Sequence, residues 1–219
     1  MNNLKGVGVA LVTPFNEDLS VDFDSLTRLI EYNIENGTNY LVVLGTTAEA
    51  ATLSKEEKKE VIKHVIKINS KRLPLVLGIG GNNTLEVKKQ IDETDLSDFD
   101  AVLSVSPYYN KPNQEGLYQH YKALAETGKQ IIIYNVPGRT GQNIEAATTV
   151  RLAKEFPNLF MIKEACPNIN QYFDILRTKP EGFSLVSGDD EYALPVTLAG
   201  GDGVISVIGQ GYPKEFSTM

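Results

Sequence analysis

The sequence predicts an α/β protein of the (β/α)8, or TIM-barrel, class, and three observations carry that expectation. Eight short apolar runs begin at about residues 7, 40, 75, 101, 131, 159, 183 and 203, a pitch of about 28 residues. Between them lie longer segments in which apolar side chains recur at helical spacing. Within the runs there is little alternation of apolar with polar residues, which is the pattern of parallel strands covered on both faces.

The first run, 7–12, reads Val-Gly-Val-Ala-Leu-Val. Residues 22–35 then set Phe23, Leu26, Leu29, Ile30 and Ile34 on one helical face, and Asn36-Gly37 supplies a stop. The second strand, 40–44, ends in Gly45-Thr46-Thr47. Ser54 and Glu57 form a capping box for a helix that turns Val61, Val65, Ile66 and Ile68 inward. The third strand, 75–79, leads through 80–83 to a helix capped by Thr84 and running to about residue 93. A doubly wound open sheet is the competing architecture, and it calls for a phosphate-binding glycine fingerprint. The stretch 78–83 lacks the third glycine and the acidic partner downstream, so it reads as a turn.

The fourth strand, 101–105, precedes Pro107-Tyr108-Tyr109-Asn110-Lys111-Pro112 and a helix over 114–127. The fifth, 131–135, precedes a loop, Pro137-Gly138-Arg139-Thr140-Gly141, and a helix over 144–156. The sixth, 160–165, carries Lys163 and is followed by a helix over 169–176. After the seventh, 183–186, Gly188-Asp189-Asp190 opens a short helix through residue 198. The eighth spans 203–208. Pro213 then opens a last helix that is cut short, which predicts partly bare closing strands and either lowered stability or cover from a partner chain.

Composition narrows the function. One domain is expected at 219 residues, and 42% hydrophobic with 22% charged residues is ordinary for a soluble globular chain. A net charge of −7, from 21 basic and 28 acidic residues, argues against a nucleic-acid or anionic-membrane surface. Cys166 stands alone, so no intrachain disulfide can form. The start, Met1-Asn2-Asn3-Leu4-Lys5, runs into a strand without a signal-peptide pattern, and together these features point to a cytoplasmic chain. His64 and His120 are too few and too isolated for a metal site, which weighs against metal-dependent hydrolases and aldolases.

Chemistry concentrates where a barrel would put it, at the carboxyl ends of the strands. A lysine held in a dry, strand-terminal position loses part of its ammonium stability, and the free amine can attack a carbonyl. Lys163, the lone cation in its apolar run, is such a residue. Thr46, Thr47, Tyr108, Tyr109, Tyr134, Arg139, Gly188 and Ile205 fall on the same rim. Singly, each has a structural explanation: Lys163 capping a strand and facing water, threonines capping a turn, tyrosines packing at an interface, an arginine holding a surface carboxylate. Their shared rim favours a site.

Five motifs in order, Gly45-Thr46-Thr47-x-Glu49, Ser106-Pro107-Tyr108-Tyr109-Asn110-Lys111-Pro112, Tyr134-Asn135-Val136-Pro137-Gly138-Arg139-Thr140, Ile162-Lys163-Glu164 and Gly201-x-Gly203-Val204-Ile205-Ser206-Val207, resemble the dihydrodipicolinate synthase (4-hydroxy-tetrahydrodipicolinate synthase) family. That family lies within the pyruvate-dependent class I aldolase superfamily, which also holds N-acetylneuraminate lyase. The resemblance implies condensation of pyruvate with L-aspartate 4-semialdehyde, at the entry to diaminopimelate and lysine, with no metal or organic cofactor. It assigns imine formation to Lys163, proton shuttling to Tyr134, and a relay to Thr47 with Tyr109, the latter lent by a neighbouring subunit of a homo-dimer or homo-tetramer. Thr46 and Thr47 N–H groups would bind the pyruvate carboxylate, Arg139 the semialdehyde carboxylate, and the carbonyls of Gly188 and Ile205 would line the pocket.

Asn82, Glu86 and Tyr108 match residues that bind lysine in feedback-inhibited members. Lys55 and Lys58 stand where histidines are common, and Ala48 and Ala50 where glycine and serine are common. The resemblance also implies that residues 1–219 are one barrel domain without the family's C-terminal helical region. Two other readings stay open: a related Schiff-base aldolase acting on a different aldehyde, and a catalytically silent fragment.

Overall fold

A computed structural model describes residues 4–219; Met1, Asn2 and Asn3, on which the signal-peptide expectation falls, lie outside the described residues. Eight parallel strands close into one barrel in chain order, with β1 (Gly6–Ala10) paired to β2 (Tyr40–Val43) and to β8 (Gly203–Ser206). Between these run β3 (Leu75–Gly78), β4 (Ala101–Val105), β5 (Ile131–Asn135), β6 (Leu159–Glu164) and β7 (Ser184–Ser187). Closure needs backbone contact at the seam. At Gly203, φ is +140° and a Cβ would come 2.0 Å from the Gly6 carbonyl oxygen, so only glycine fits.

The helices form the outer layer. The first, α1 (Phe23–Glu35), is capped by the Asp22 side chain on the Ser25 N–H and buries Leu26 and Ile30, worth about 2 kcal/mol each. The capping box opens α2 (Lys55–Asn69) as expected, with Ser54 and Glu57 bonded reciprocally. The cap of α3 (Thr84–Glu93) is Asn83, one residue earlier than predicted: its amide oxygen accepts from the Leu85 and Glu86 N–H groups. There follow α4 (Gln114–Ala125), α5 (Pro137–Thr140), α6 (Ala146–Glu155), α7 (Ile169–Thr178), α8 (Ala193–Leu198) and α9 (Pro213–Ser217). Among the described residues no helix is long and apolar enough to cross a membrane.

Period-2 geometry sends alternate strand residues to the two faces. Outward side chains such as Val9, Leu41, Leu77 and Ile133 meet the helices, while Tyr40, Val42, Val76, Leu103, Ile132, Tyr134, Met161, Val186 and Ile205 pack inside the ring. That inner packing closes the barrel below and leaves its carboxyl end as the mouth.

Three further expectations are corrected. The segment 137–140, read as loop, is a helical turn with proline at its first position and Gly141 as a left-handed cap. The eighth strand ends at Ser206 instead of 208, because Val207 turns into a 3-10 turn over Ile208–Gln210. The closing strands are not bare: Val7, Val9 and Val204 are all buried, and Phe216 of α9 packs against the same cluster. The exposed apolar side chains lie farther out, at Leu194 and Leu198 of α8 and at Val207 and Ile208.

Candidate active site

Lys163 is the next-to-last residue of β6, in register with Tyr134 on β5 and Val186 on β7. Its side chain is inside the barrel and 4% exposed. Nζ lies 4.4 Å from the centroid of the Tyr134 ring. Gly188, just past β7, makes room for it: a Cβ there would come 2.9 Å from both Cγ and Cε of Lys163. Burial lowers the Lys163 ammonium to about 8, with the Asp190 carboxylate pulling the other way and the Arg139 guanidinium adding to the fall. About a tenth of the amine is therefore free at pH 7, and about half at pH 8.

Tyr134 is buried as well, and burial raises its phenol above the usual tyrosine value. A hydrogen bond with the Thr46 side chain and the charge of Arg139 in α5 both favour the phenolate. Of the two threonines expected at the site, Thr46 is the one whose side chain acts on this phenol. Both threonines lie in a 3-10 turn, Thr46–Ala48, flanked by Leu44 at φ 55° and Glu49 at φ 53°. The Thr13 hydroxyl holds the turn by donating to the Ala48 carbonyl at 2.7 Å. The leading N–H groups of such a turn have no partner inside it, so those of Thr46 and Thr47 are available to an anion. Two non-glycine residues forced to positive φ cost of the order of 1–3 kcal/mol each, a concentration of strain typical of functional sites.

Behind the lysine, on the outer face of the barrel, Glu164 is fully buried without a cation. Its Oε1 accepts from Asn135 Nδ2 at 2.7 Å and the Cys166 N–H at 2.8 Å, and its Oε2 from Gln171 Nε2 at 2.9 Å. Asn143 joins Asn135 and Gln171 through both amides. Burial pushes the Glu164 carboxyl up to about 7 against the pull of those hydrogen bonds. The network ties β5, β6 and α7 together immediately outside the Lys163–Tyr134 pair. The sequence reading missed it, although a glutamate in an apolar run and an asparagine ending another were visible signals.

Other predicted residues fall at different depths. Ile205 is buried in the inner cluster and Gly188 adjoins the lysine stem. Arg139 is exposed at the mouth. Tyr109 is 89% exposed at φ 72°, so its phenol stands outside this chain's buried cluster, and Tyr108 is 42% exposed. Asn82 is drawn to the loop bearing those tyrosines by a 3.0 Å hydrogen bond from Asn110 Nδ2 to its carbonyl; Glu86, in the first turn of α3, is exposed. The rim also holds Asp190, which the sequence reading did not single out. Its Oδ2 accepts from the Val207 N–H at 3.1 Å and the Ile208 N–H at 2.9 Å.

A buried amine beside a buried phenol at a barrel mouth suits carbonyl capture, and comparison with known proteins agrees in kind. The model of the dihydrodipicolinate synthetase family matches residues 3–219. The chain belongs to this family. A 4-hydroxy-tetrahydrodipicolinate synthase of Flavobacterium psychrophilum is 59% identical over 215 residues, covering 98% of this chain and 73% of the relative. Among solved structures, the chloride-inhibited dihydrodipicolinate synthase of Acinetobacter baumannii, complexed with pyruvate, superposes with a TM-score of 0.94 at 46% identity, over 98% of this chain and 74% of that one. The enzyme of Cyanidioschyzon merolae with lysine bound gives 0.92 at 36% identity, over 100% and 74% of the two chains. With family membership, the eight-stranded closure and the rim position of Lys163 acquire a common chemical setting.

Proposed function

We propose that this chain is a Schiff-base lyase that condenses pyruvate with L-aspartate 4-semialdehyde to 4-hydroxy-tetrahydrodipicolinate, serving lysine and diaminopimelate biosynthesis. The observation that carries the reading is the Lys163 amine, lowered to about 8 and held 4.4 Å from the Tyr134 ring. The neutral amine adds to the ketone of pyruvate and water leaves, giving a protonated imine. That cation acidifies the neighbouring methyl group, whose lost proton yields an enamine; its carbon attacks the aldehyde of the second substrate, whose own amino group then adds to the re-formed imine carbon, closing the ring and expelling the Lys163 amine. Tyr134 carries protons to and from the oxygens that leave and form, with Thr46 next in the relay and Thr47 completing the turn. The Thr46 and Thr47 N–H groups hold the pyruvate carboxylate, Arg139 binds the semialdehyde carboxylate with its planar fork, and the carbonyls of Gly188 and Ile205 line the pocket.

The exposure of Tyr109 supports a homo-oligomer in which this phenol completes a neighbouring subunit's relay. The Asn110–Asn82 bond, which draws the Tyr108 loop to the start of α3, supports a lysine effector site at Asn82, Glu86 and Tyr108. We place the chain in the cytoplasm as one barrel domain. The test of the central claim is borohydride reduction in the presence of pyruvate, followed by peptide mass analysis. A carboxyethyl adduct on Lys163 is expected; folded protein without that adduct would refute the imine.

A further inference from the structure

The two carboxylate oxygens of Asp190 have different surroundings, one bonded twice and the other buried without a partner. Asp190 lies two residues past Gly188, in the turn that leads from β7 into α8. That turn is fixed from within: the Ser187 hydroxyl donates to the Asp189 carbonyl at 2.6 Å, and the Asp189 side chain accepts from the Glu191 N–H at 3.1 Å. From this base the Oδ2 of Asp190 reaches across to the first two N–H groups beyond β8, those of Val207 and Ile208. A cap of the following 3-10 turn needs nothing more.

Its second oxygen, Oδ1, is buried with no hydrogen-bond partner. A buried carboxylate oxygen left bare is costly unless a cation compensates the charge. Lys163, whose stem packs against Gly188 two residues before Asp190, is a cation on which this charge acts. The groups that act on the amine come from three sides: Tyr134 from β5, Arg139 from α5, and Asp190 from beyond β7. Asp190 is the single anion among them, while its own turn carries the further acids Asp189 and Glu191.

We propose that Asp190 is a positioning residue for Lys163, pinning the turn after β8 with Oδ2 while Oδ1 supplies the negative charge that steadies the ammonium and the cationic imine formed from it. This rests on the reading of Lys163 as the imine-forming amine. The arrangement answers a conflict set by burial, since the site that frees the amine for attack also disfavours the cation that attack must produce. An anion bonded to the backbone just beyond β8 moderates the second effect without abolishing the first.

The test is the pH dependence of pyruvate-dependent borohydride trapping in the parent, Asp190→Asn, Asp190→Ser and Asp190→Glu. The asparagine and serine variants keep an oxygen for the two N–H groups but carry no charge. For them the ascending limb of the trapping rate is expected to move to lower pH by about one unit, because removing an anion disfavours the ammonium. Asp190→Glu, which keeps the charge, is expected to stay near the parent. A limb that overlays the parent in either folded neutral variant overturns the proposal. So does failure of both neutral variants to fold by circular dichroism, which reduces Asp190 to a structural clamp. A parent protein that is never trapped defeats the reading of Lys163 itself; normal trapping with an unmoved limb defeats only the role of Asp190.

Discussion

Gly188→Ala is the most direct probe of how the amine is held. The substitution carries no backbone strain argument, since Gly188 is not in the left-handed region; what it changes is space. The added methyl would stand 2.9 Å from Lys163 Cγ, 2.9 Å from Lys163 Cε and 2.9 Å from the Ala165 Cβ. Apolar carbons prefer about 3.5–4.0 Å, so the lysine stem must retreat by roughly 0.6–1 Å. Overpacking of this kind costs about 1–3 kcal/mol, which for a chain of this size lowers the melting temperature by about 2–12 °C. Displacing the reacting nitrogen by that distance costs about a hundredfold in rate, because near-attack geometry tolerates little error. The assay is the rate of borohydride trapping with saturating pyruvate, run beside a thermal melt. Ala165→Gly in the same chain removes one of the three close contacts, so the double variant should regain part of the stability and little of the rate. Parental trapping in Gly188→Ala would refute the claim that this glycine exists to seat the lysine.

Other perturbations separate stability from chemistry. Lys163→Met abolishes trapping yet should be more stable than the parent at neutral pH. With a folded value of about 8 against 10.5 for the free group, the buried ammonium costs on the order of 3 kcal/mol below pH 8. Because the unfolded chain binds the extra proton between those values, the parent gains stability as pH rises, and its deficit relative to the variant should close from pH 8 to about 10.5; chemical denaturation at several pH values checks this. Thr46→Val removes the hydrogen bond that favours the Tyr134 phenolate, so turnover should fall about 10–100-fold, with its alkaline dependence displaced upward. Glu164→Gln places an amide NH2 among N–H donors and should cost about 1–3 kcal/mol in a thermal melt at pH 8, where the carboxylate is the main species. Ser54→Ala breaks the capping box of α2 for about 1 kcal/mol and should leave trapping unchanged.

Strands were the legible part of the fold because a parallel barrel demands apolar side chains on both faces, and a run such as Ile131-Ile132-Ile133 advertises that directly. Ends were less legible. Val207 and Ile208 continue the apolar pattern of β8, yet they leave the ladder because Asp190, remote in sequence, captures their N–H groups. Residues 137–140 carried proline and glycine signals at either end of a helical turn, but four residues give no period to read. At the site, Lys163 stood out as a cation inside a strand. The choice between Thr46 and Thr47 did not, since a tight turn flanked by residues at positive φ, and not the sequence, decides which hydroxyl faces the phenol. Glu164, Asn135 and Gln171 form one network only after β5, β6 and α7 are packed side by side.

That network bears on why the amine sits where it does. Adjacent residues of a strand point to opposite faces, so Lys163 must enter the barrel if Glu164 is to lie among the helices. Anchoring Glu164 to Asn135 on β5 and to Gln171 on α7 therefore fixes the rotation of β6 about its own axis, and with it the direction in which the lysine stem leaves the backbone. The same bond joins Asn135 to the residue after Lys163, one step beyond the Tyr134–Lys163 register pair, and so holds the phenol and the amine at matching heights. A one-residue slip of β6 would put a carboxylate into the mouth and the amine among apolar helices, which is costly twice over. The buried carboxyl outside the barrel is thus the reason the amine inside it has only one place to be.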